Sequence, residues 1–258
     1  MALANRVALI TGAADGIGKA IATRLLEKGI KGVGLIDINE DKAKVTVKTL
    51  SSRFGNEKVL YVHGDVSSKD QFEGAFEKIK SHFNGLNIVC NNAAITDEIN
   101  WDHMVDVNLK GVIRGTYLAV QHMGTQNGGS GGAVVNIASV NGFLPNRIVP
   151  TYAATKHGIV GFTRSSAEEP LLKENGVRVN AVCPGVVDTQ MIIDIEEKGC
   201  RYKELYAERK GLARRVPIAN VVEATIKFIE DSSYNGVTCA VVPDDPMLVV
   251  EPPKITVI

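Results

Sequence analysis

A tyrosine, a lysine, a serine and an asparagine stand where they could move a proton. Tyr152 and Lys156 bracket the run Tyr152-Ala153-Ala154-Thr155-Lys156, a spacing that puts both side chains on one helical face. A phenol titrates near ~10 in water, too high for a base at neutral pH. A neighbouring ammonium favours the phenolate, and a positive charge on a bound cofactor ring would add to it. A shift of ~3 units corresponds to ~4 kcal/mol, a reasonable demand on two close cations. Ser139 precedes the pair and could hold a substrate oxygen beside the phenol. Asn108 could fix a water or a backbone carbonyl near Lys156. Taken singly, each has a plainer use, and exposed Tyr–Lys pairs are common.

A second signal concerns phosphate. The run Thr11-Gly12-Ala13-Ala14-Asp15-Gly16-Ile17-Gly18 lies between a strand-like and a helix-like segment. Gly12 permits a tight turn, Gly16 lets backbone approach a ligand, and Gly18 lets the helix pack near the strand. The helix start offers free N–H groups and a positive dipole end to a pyrophosphate. Asp37 ends the second strand, where a carboxylate accepts hydrogen bonds from ribose hydroxyls and repels a 2′-phosphate. Ile38 follows, and no Arg or Lys sits in the turn or directly after Asp37. The cofactor expected is therefore NAD. Asp37 could equally cap the next helix, and both roles can coexist. Asp65-Val66 closes the third strand, where an acidic group could meet an adenine amino group. Asn91-Asn92-Ala93-Ala94 closes the fourth, and small residues there would let a cofactor lie flat. Either asparagine could also simply stabilise a turn.

The elements that must position these groups alternate. Strands are predicted at Arg6–Thr11, Val33–Asp37, Val59–Gly64, Leu86–Cys90, Ala133–Ala138, Val177–Cys183 and Val237–Val242. Helices are predicted at Gly16–Lys28, Asn39–Arg53, Lys69–His82, Asp102–Met123, Thr151–Lys173 and Pro217–Glu230. In the first helix Ile17, Ile21, Leu25 and Leu26 make one stripe. Alternation of this kind implies parallel strands joined by right-handed crossovers. The expected fold is α/β, a single doubly wound (Rossmann) domain with a parallel sheet of about seven strands and helices on both faces. Residues 188–216 read as a substrate lid, or alternatively as a surface helix or oligomer contact, and 243–258 as an irregular tail.

Composition narrows the function class. The chain has 258 residues, with 29 basic and 29 acidic side chains. Charge balance argues against a dedicated nucleic-acid binder, which needs a basic excess. No run approaches the ~20 apolar residues of a membrane span. Cys90, Cys183, Cys200 and Cys239 are scattered, as buried hydrophobes would be, and the expected location is the cytoplasm. The five histidines show no ligand spacing, so no metal is expected.

The chain resembles the short-chain dehydrogenase/reductases. The resemblance rests on TGAADGIG, the NNAA run, Asn108, Ser139, Tyr152-x-x-x-Lys156 and Pro184-Gly185, and runs from Arg6 to about Val242. It implies NAD(P)-dependent oxidoreduction of an alcohol–carbonyl pair, usually by a homodimer or homotetramer. It implies Tyr152 as proton acceptor, Lys156 on the ribose, Ser139 on the substrate oxygen and Asn108 in a proton relay. It places Gly12, Asp15, Gly16, Ile17, Gly18, Asp37, Ile38, Asp65, Val66, Asn92, Val187 and Thr189 on the cofactor. Asn100-Trp101, Gly115–Leu118 and Lys156–Arg164 narrow the likeness to a prostaglandin-oxidising branch and to insect-type alcohol dehydrogenases. In the former a glutamine precedes the tyrosine by three residues; here Val149 takes that substrate-side position. The expected substrate is a hydrophobic secondary alcohol, walled by Val149, Phe143, Leu144, Met191 and Ile192. A carbonyl reductase and a non-catalytic NAD-binding member are the alternatives.

Overall fold

The computed structural model describes residues 3–195, 200–209 and 211–252. Strand β1 (Val7–Thr11) is followed by α1 (Gly16–Glu27), β2 (Gly32–Asp37), α2 (Glu40–Phe54), β3 (Val59–His63), α3 (Lys69–Phe83) and β4 (Ile88–Asn91). Then come α4 (Trp101–Val105), a π-turn at Asp106–Lys110, α5 (Gly111–Met123), β5 (Gly132–Ile137) and α6 (Pro150–Ser166). The chain continues through α7 (Pro170–Glu174), β6 (Val177–Pro184), α8 (Gln190–Asp194), α9 (Lys203–Arg209), α10 (Ile218–Glu230), β7 (Thr238–Val241) and β8 (Leu248–Val249).

The strands form one sheet in the order β3-β2-β1-β4-β5-β6-β7-β8. Each neighbouring pair from β3 to β7 is parallel. The reason is visible in β1, which is apolar on both faces. Ala8 and Ile10 pack on one side with Ile21 and Leu25 of α1 and Phe228 of α10. Val7 and Leu9 pack on the other with Phe72, Phe76 and Ile79 of α3. Burying each large side chain contributes roughly 1.5–3 kcal/mol, and only a sheet covered on both faces can bury both sets. β1 pairs with β2 on one edge and β4 on the other, so the chain direction of winding reverses there. A crevice opens beyond the carboxyl ends of the strands at such a point.

Three features differ from the sequence expectation. The sheet has an eighth strand, because Leu248–Val249 pairs antiparallel with Cys239 and Ala240. The tail is therefore not irregular throughout; residues 253–258 lie outside the described residues. The predicted helix Thr151–Lys173 is two helices, since Pro170 cannot donate to the preceding turn and opens α7 instead. The predicted helix Asp102–Met123 carries a π-turn around Asn108.

Candidate active site

The glycine turn leaves β1 in a shape only glycine adopts freely: φ is 62° at Gly12 and 55° at Gly16. Asp15 caps α1 by accepting from Gly16 N at 2.8 Å. Gly18 faces inward, and a Cβ there would sit 2.4 Å from Gly12 O and 2.7 Å from Asn92 Nδ2. The turn is held from two neighbouring strands. Asn92 Nδ2, after β4, donates to Thr11 O and Gly12 O at 2.9 and 3.0 Å. Thr11 Oγ1 accepts from the N–H groups of Asn92 and Ala93, each at 3.0 Å. Asp37, at the end of β2, accepts from Ala14 N and Asn39 N, each at 2.9 Å. Asn39, not Asp37, caps α2, accepting from Lys42 N.

On the far side of the crevice, α6 starts at Pro150 and buries Tyr152 and Lys156 on one face. Lys156 Nζ lies 5.4 Å from the Tyr152 ring centroid and donates to Ile137 O of β5 at 3.0 Å. Ser139 follows β5 and its Oγ accepts from Asn141 N at 3.1 Å. A cleft of about 780 Å³ joins the two halves, running from Gly12 and Asp37 to Ser139, Tyr152 and Lys156.

The cleft is lined by most of the residues singled out from the sequence. They include Gly12, Asp15, Gly16, Ile17, Asp37, Ile38, Asp65, Val66 and Asn92 at one end. Ser139, Val149, Tyr152, Lys156, Val187 and Thr189 line the rest. Gly18 and Asn108 do not line it. Gly18 packs beneath the turn, as above. Asn108 is fully buried and bonds both ways to Ile95, Oδ1 accepting from its N–H at 2.9 Å and Nδ2 donating to its carbonyl at 2.8 Å. It fixes the loop after β4 and reaches Thr155 Oγ1 at 3.4 Å, not Lys156. Phe143 packs into a separate cluster with Val160 and Ala181, and Leu144 is exposed, so neither walls the cleft. Met104, Ile148, Val149, Met191, Ile195 and Tyr206 surround Tyr152 instead. From the 188–216 segment, α8 and Tyr206 lie over this apolar end. Residues 196–199 and 210 of that segment lie outside the described residues.

Burial governs the charges here. It pushes the Tyr152 phenol up to about 12, against the pull of a hydrogen bond from Ser139. It pushes the Lys156 ammonium down to about 8. In the protein alone burial outweighs other influences on the phenol, and the sequence expectation of a lowered phenol includes the charge of a bound cofactor ring. Lys42, which lines the cleft, and Glu98, which packs behind it, are not signalled by the sequence reading. Lys42 of α2 reaches back to Asp15, Nζ to Oδ2 at 3.3 Å, closing the rim beside Asp37. Glu98, beside Asp97 in the loop after β4, is 2 % exposed and lies against α6. The Lys42 contact could have been sought from its place one turn into α2, but nothing in the spacing around Glu98 signals its position. All four cysteines are buried and unpaired.

The family model for the short chain dehydrogenases matches residues 6–199. The chain belongs to the short-chain dehydrogenase family. This short-chain dehydrogenase is 41 % identical to the bovine 15-hydroxyprostaglandin dehydrogenase [NAD(+)] over 237 residues, covering 90 % of this chain and 89 % of the relative. The identity to the human enzyme of that name is also 41 %, with the same coverage of both chains. Identity falls to 33 % against a 3-oxoacyl-[acyl-carrier-protein] reductase of Thermotoga maritima, across 97 % of this chain and 100 % of the relative. Among solved structures, levodione reductase superposes with a TM-score of 0.80 at 27 % identity, over 95 % of this chain and 98 % of the other. As a member of the family, the chain is an oxidoreductase. No helix among the described residues is long and apolar enough to cross a membrane.

Proposed function

We propose that this short-chain dehydrogenase oxidises a hydrophobic secondary alcohol with NAD, using Tyr152 as the general base. The observation that carries the reading is the shared cleft: a glycine turn with positive φ at one end and a buried Ser139–Tyr152–Lys156 group at the other.

The residues present fit the dinucleotide. A Cβ on Gly16 would come within 3.4 Å of Thr189 Cγ2, so bare backbone keeps the passage open where a pyrophosphate would lie. Gly12, Asp15, Gly16, Ile17 and Thr189 would hold the phosphates through backbone N–H groups and the α1 dipole. Asp37 keeps lone pairs free for ribose hydroxyls and would repel a 2′-phosphate. Lys42, a cation lining this end of the cleft, is already engaged by Asp15. Ile38, Asp65 and Val66 would flank the adenine, and Asn92 and Val187 the middle of the cofactor. Bound NAD would supply a hydride acceptor and, when oxidised, a positive charge beside Tyr152.

The chain's own groups do the rest. The Ser139 hydroxyl holds the substrate oxygen against the phenol. Tyr152 Oη takes the alcohol proton. Lys156 binds ribose and, with the cofactor's charge, offsets the burial that otherwise keeps the phenol protonated. Asn108 sets the loop after β4, and the main chain of its π-turn would carry the relay of the proton outward. Positioning supplies much of the rate. The described parts of the 188–216 segment at this end, α8 and Tyr206, would act as a lid and exclude water on closing.

The substrate class follows from the walls. Ile148, Val149, Met191 and Ile195 offer no charge to a ligand, and the 15-hydroxyprostaglandin dehydrogenases are the most similar relatives given above. A hydroxylated fatty acid or prostaglandin-like alcohol fits these walls. The reverse reaction on a ketone is favoured by one observation, the likeness to two reductases.

The test is a panel of secondary alcohols, hydroxy fatty acids and prostaglandins included, with NAD or NADP, followed by the appearance of reduced nucleotide. NAD is expected to support turnover at least ~10-fold better than NADP, the equivalent of ~1.4 kcal/mol from Asp37. A preference for NADP, or no reduction with any member of the panel, would overturn the reading.

A further inference from the structure

We infer that Glu98 is a positioning residue for Tyr152: a buried carboxylate that caps the catalytic helix from outside it. The inference rests on the reading of Tyr152 as the base.

A helix start leaves its first N–H groups without partners, and a side chain at the N-cap normally accepts from them. Here the N-cap of α6 is Val149, whose side chain has no acceptor, and no side chain of the local sequence caps the helix. Pro150 begins the helix and has no N–H to satisfy. The next two amides belong to Thr151 and to Tyr152 itself. Both are taken by Glu98: Oε2 accepts from Thr151 N at 3.1 Å and Oε1 from Tyr152 N at 2.8 Å. The bidentate grip fixes two successive peptide units of the base's own turn. It also places a carboxylate at the positive end of the α6 dipole, which is favourable there.

Glu98 is in turn held in place. It is 2 % exposed, so its side chain has little freedom to swing. Its carbonyl accepts from Arg201 Nη2 at 2.7 Å. The loop that carries it is clamped by the Asn108–Ile95 bonds and by Asp97, whose Oδ1 accepts from Ile99 N and Asn100 N on the far side of Glu98. The loop after β4 thus links three parts of the cleft: the Asn108 turn, the segment over the substrate end and the first turn of α6. The carboxylate does not touch the reacting atoms. It sets where the Tyr152 main chain, and so its ring, stands relative to Ser139 and Lys156.

The test is Glu98→Gln, which keeps the volume and one acceptor but turns an amide N–H toward a backbone N–H. Two readouts are used. Amide exchange of the peptide spanning 150–156 reports the cap without any need for turnover, and it is expected to quicken about tenfold while α1 peptides stay unchanged. In steady state kcat is expected to fall about tenfold or more, as small misplacements of a reacting group do, with the NADH dissociation constant within about twofold of wild type. Should the glutamine variant fail to fold, Glu98→Asp, which keeps the charge but retracts it, is read in the same assays with the same expectation. Unchanged exchange over 150–156, or unchanged kcat with faster exchange, would overturn the proposal. If the wild-type protein shows no Tyr152-dependent turnover, the reading of Tyr152 fails, and the exchange result still decides whether Glu98 caps α6.

Discussion

Tyr152→Phe is expected to lower turnover by about 10³-fold or more, within the range that a positioned acid or base supplies. The change removes one oxygen and no carbon. The ring stays packed among Met104, Ile148 and Val149, so the fold and the cleft should survive. NADH binding should remain within a factor of about two, because the turn around Gly12 and Asp37 lies at the other end of the cleft. Steady-state rates and a fluorescence titration with NADH check both halves. Retained turnover would show that another group takes the proton. Lost NADH binding would show that the phenol is needed to build the cofactor site.

Lys156→Met has the second large effect, and it reads in two ways. Turnover should fall by about 10²-fold, because the cation that favours the phenolate is gone. Stability should change its dependence on pH. Folding lowers Lys156 from 10.5 to about 8 by burial. Below the lower value both states carry the proton, and the folded state bears the full cost of a buried ammonium. As pH rises between the two values the folded state sheds its proton first, so the contribution of this group to stability rises, by on the order of 3 kcal/mol in all. Tyr152 has the opposite sign. Its folded value is raised from 10.0 to about 12, so its contribution is full below the unfolded value and is lost as pH climbs toward the folded one. The wild type should therefore gain stability from pH ~8 to ~10 relative to the methionine variant, and the gain should then level off. Urea midpoints for both proteins across that range measure it. Parallel curves would mean that Lys156 is not held in a desolvated site.

The fold was legible because its signals are local and repeated. Strands such as β1 and β5 are short apolar runs, and the helices between them carry clear stripes. The glycine turn, Asp37 and the Tyr152–Lys156 pair were readable for the same reason, since each depends on neighbours in sequence. What escaped depends on partners far along the chain. Leu248–Val249 becomes a strand only because the edge of β7 is there to pair with. Glu98 caps a helix more than fifty residues downstream, at |i−j| of 53 and 54 for its two bonds, and no local pattern announces that. Asn108 was found by its family position, but its bonds to Ile95 are a product of the π-turn, which the helical stripe conceals. Phe143 and Leu144 were placed on the substrate wall because they are apolar and near Ser139 in sequence; the short turn at Val140–Gly142 carries them away. The charge of Lys156 is legible four residues from Tyr152, whereas the burial of the phenol is set by distant packing and is not. In the protein alone desolvation outweighs the neighbouring amine.

That last point sets the decisive measurement. An ultraviolet difference titration of wild type against Tyr152→Phe isolates the ionisation of the one phenol, first in the free protein and then saturated with NAD. In the free protein the phenol should titrate near its buried value of about 12. With NAD bound it should move down by one unit or more, as an added positive charge nearby requires. A phenol whose titration is the same with and without NAD would contradict the assignment of Tyr152 as the base.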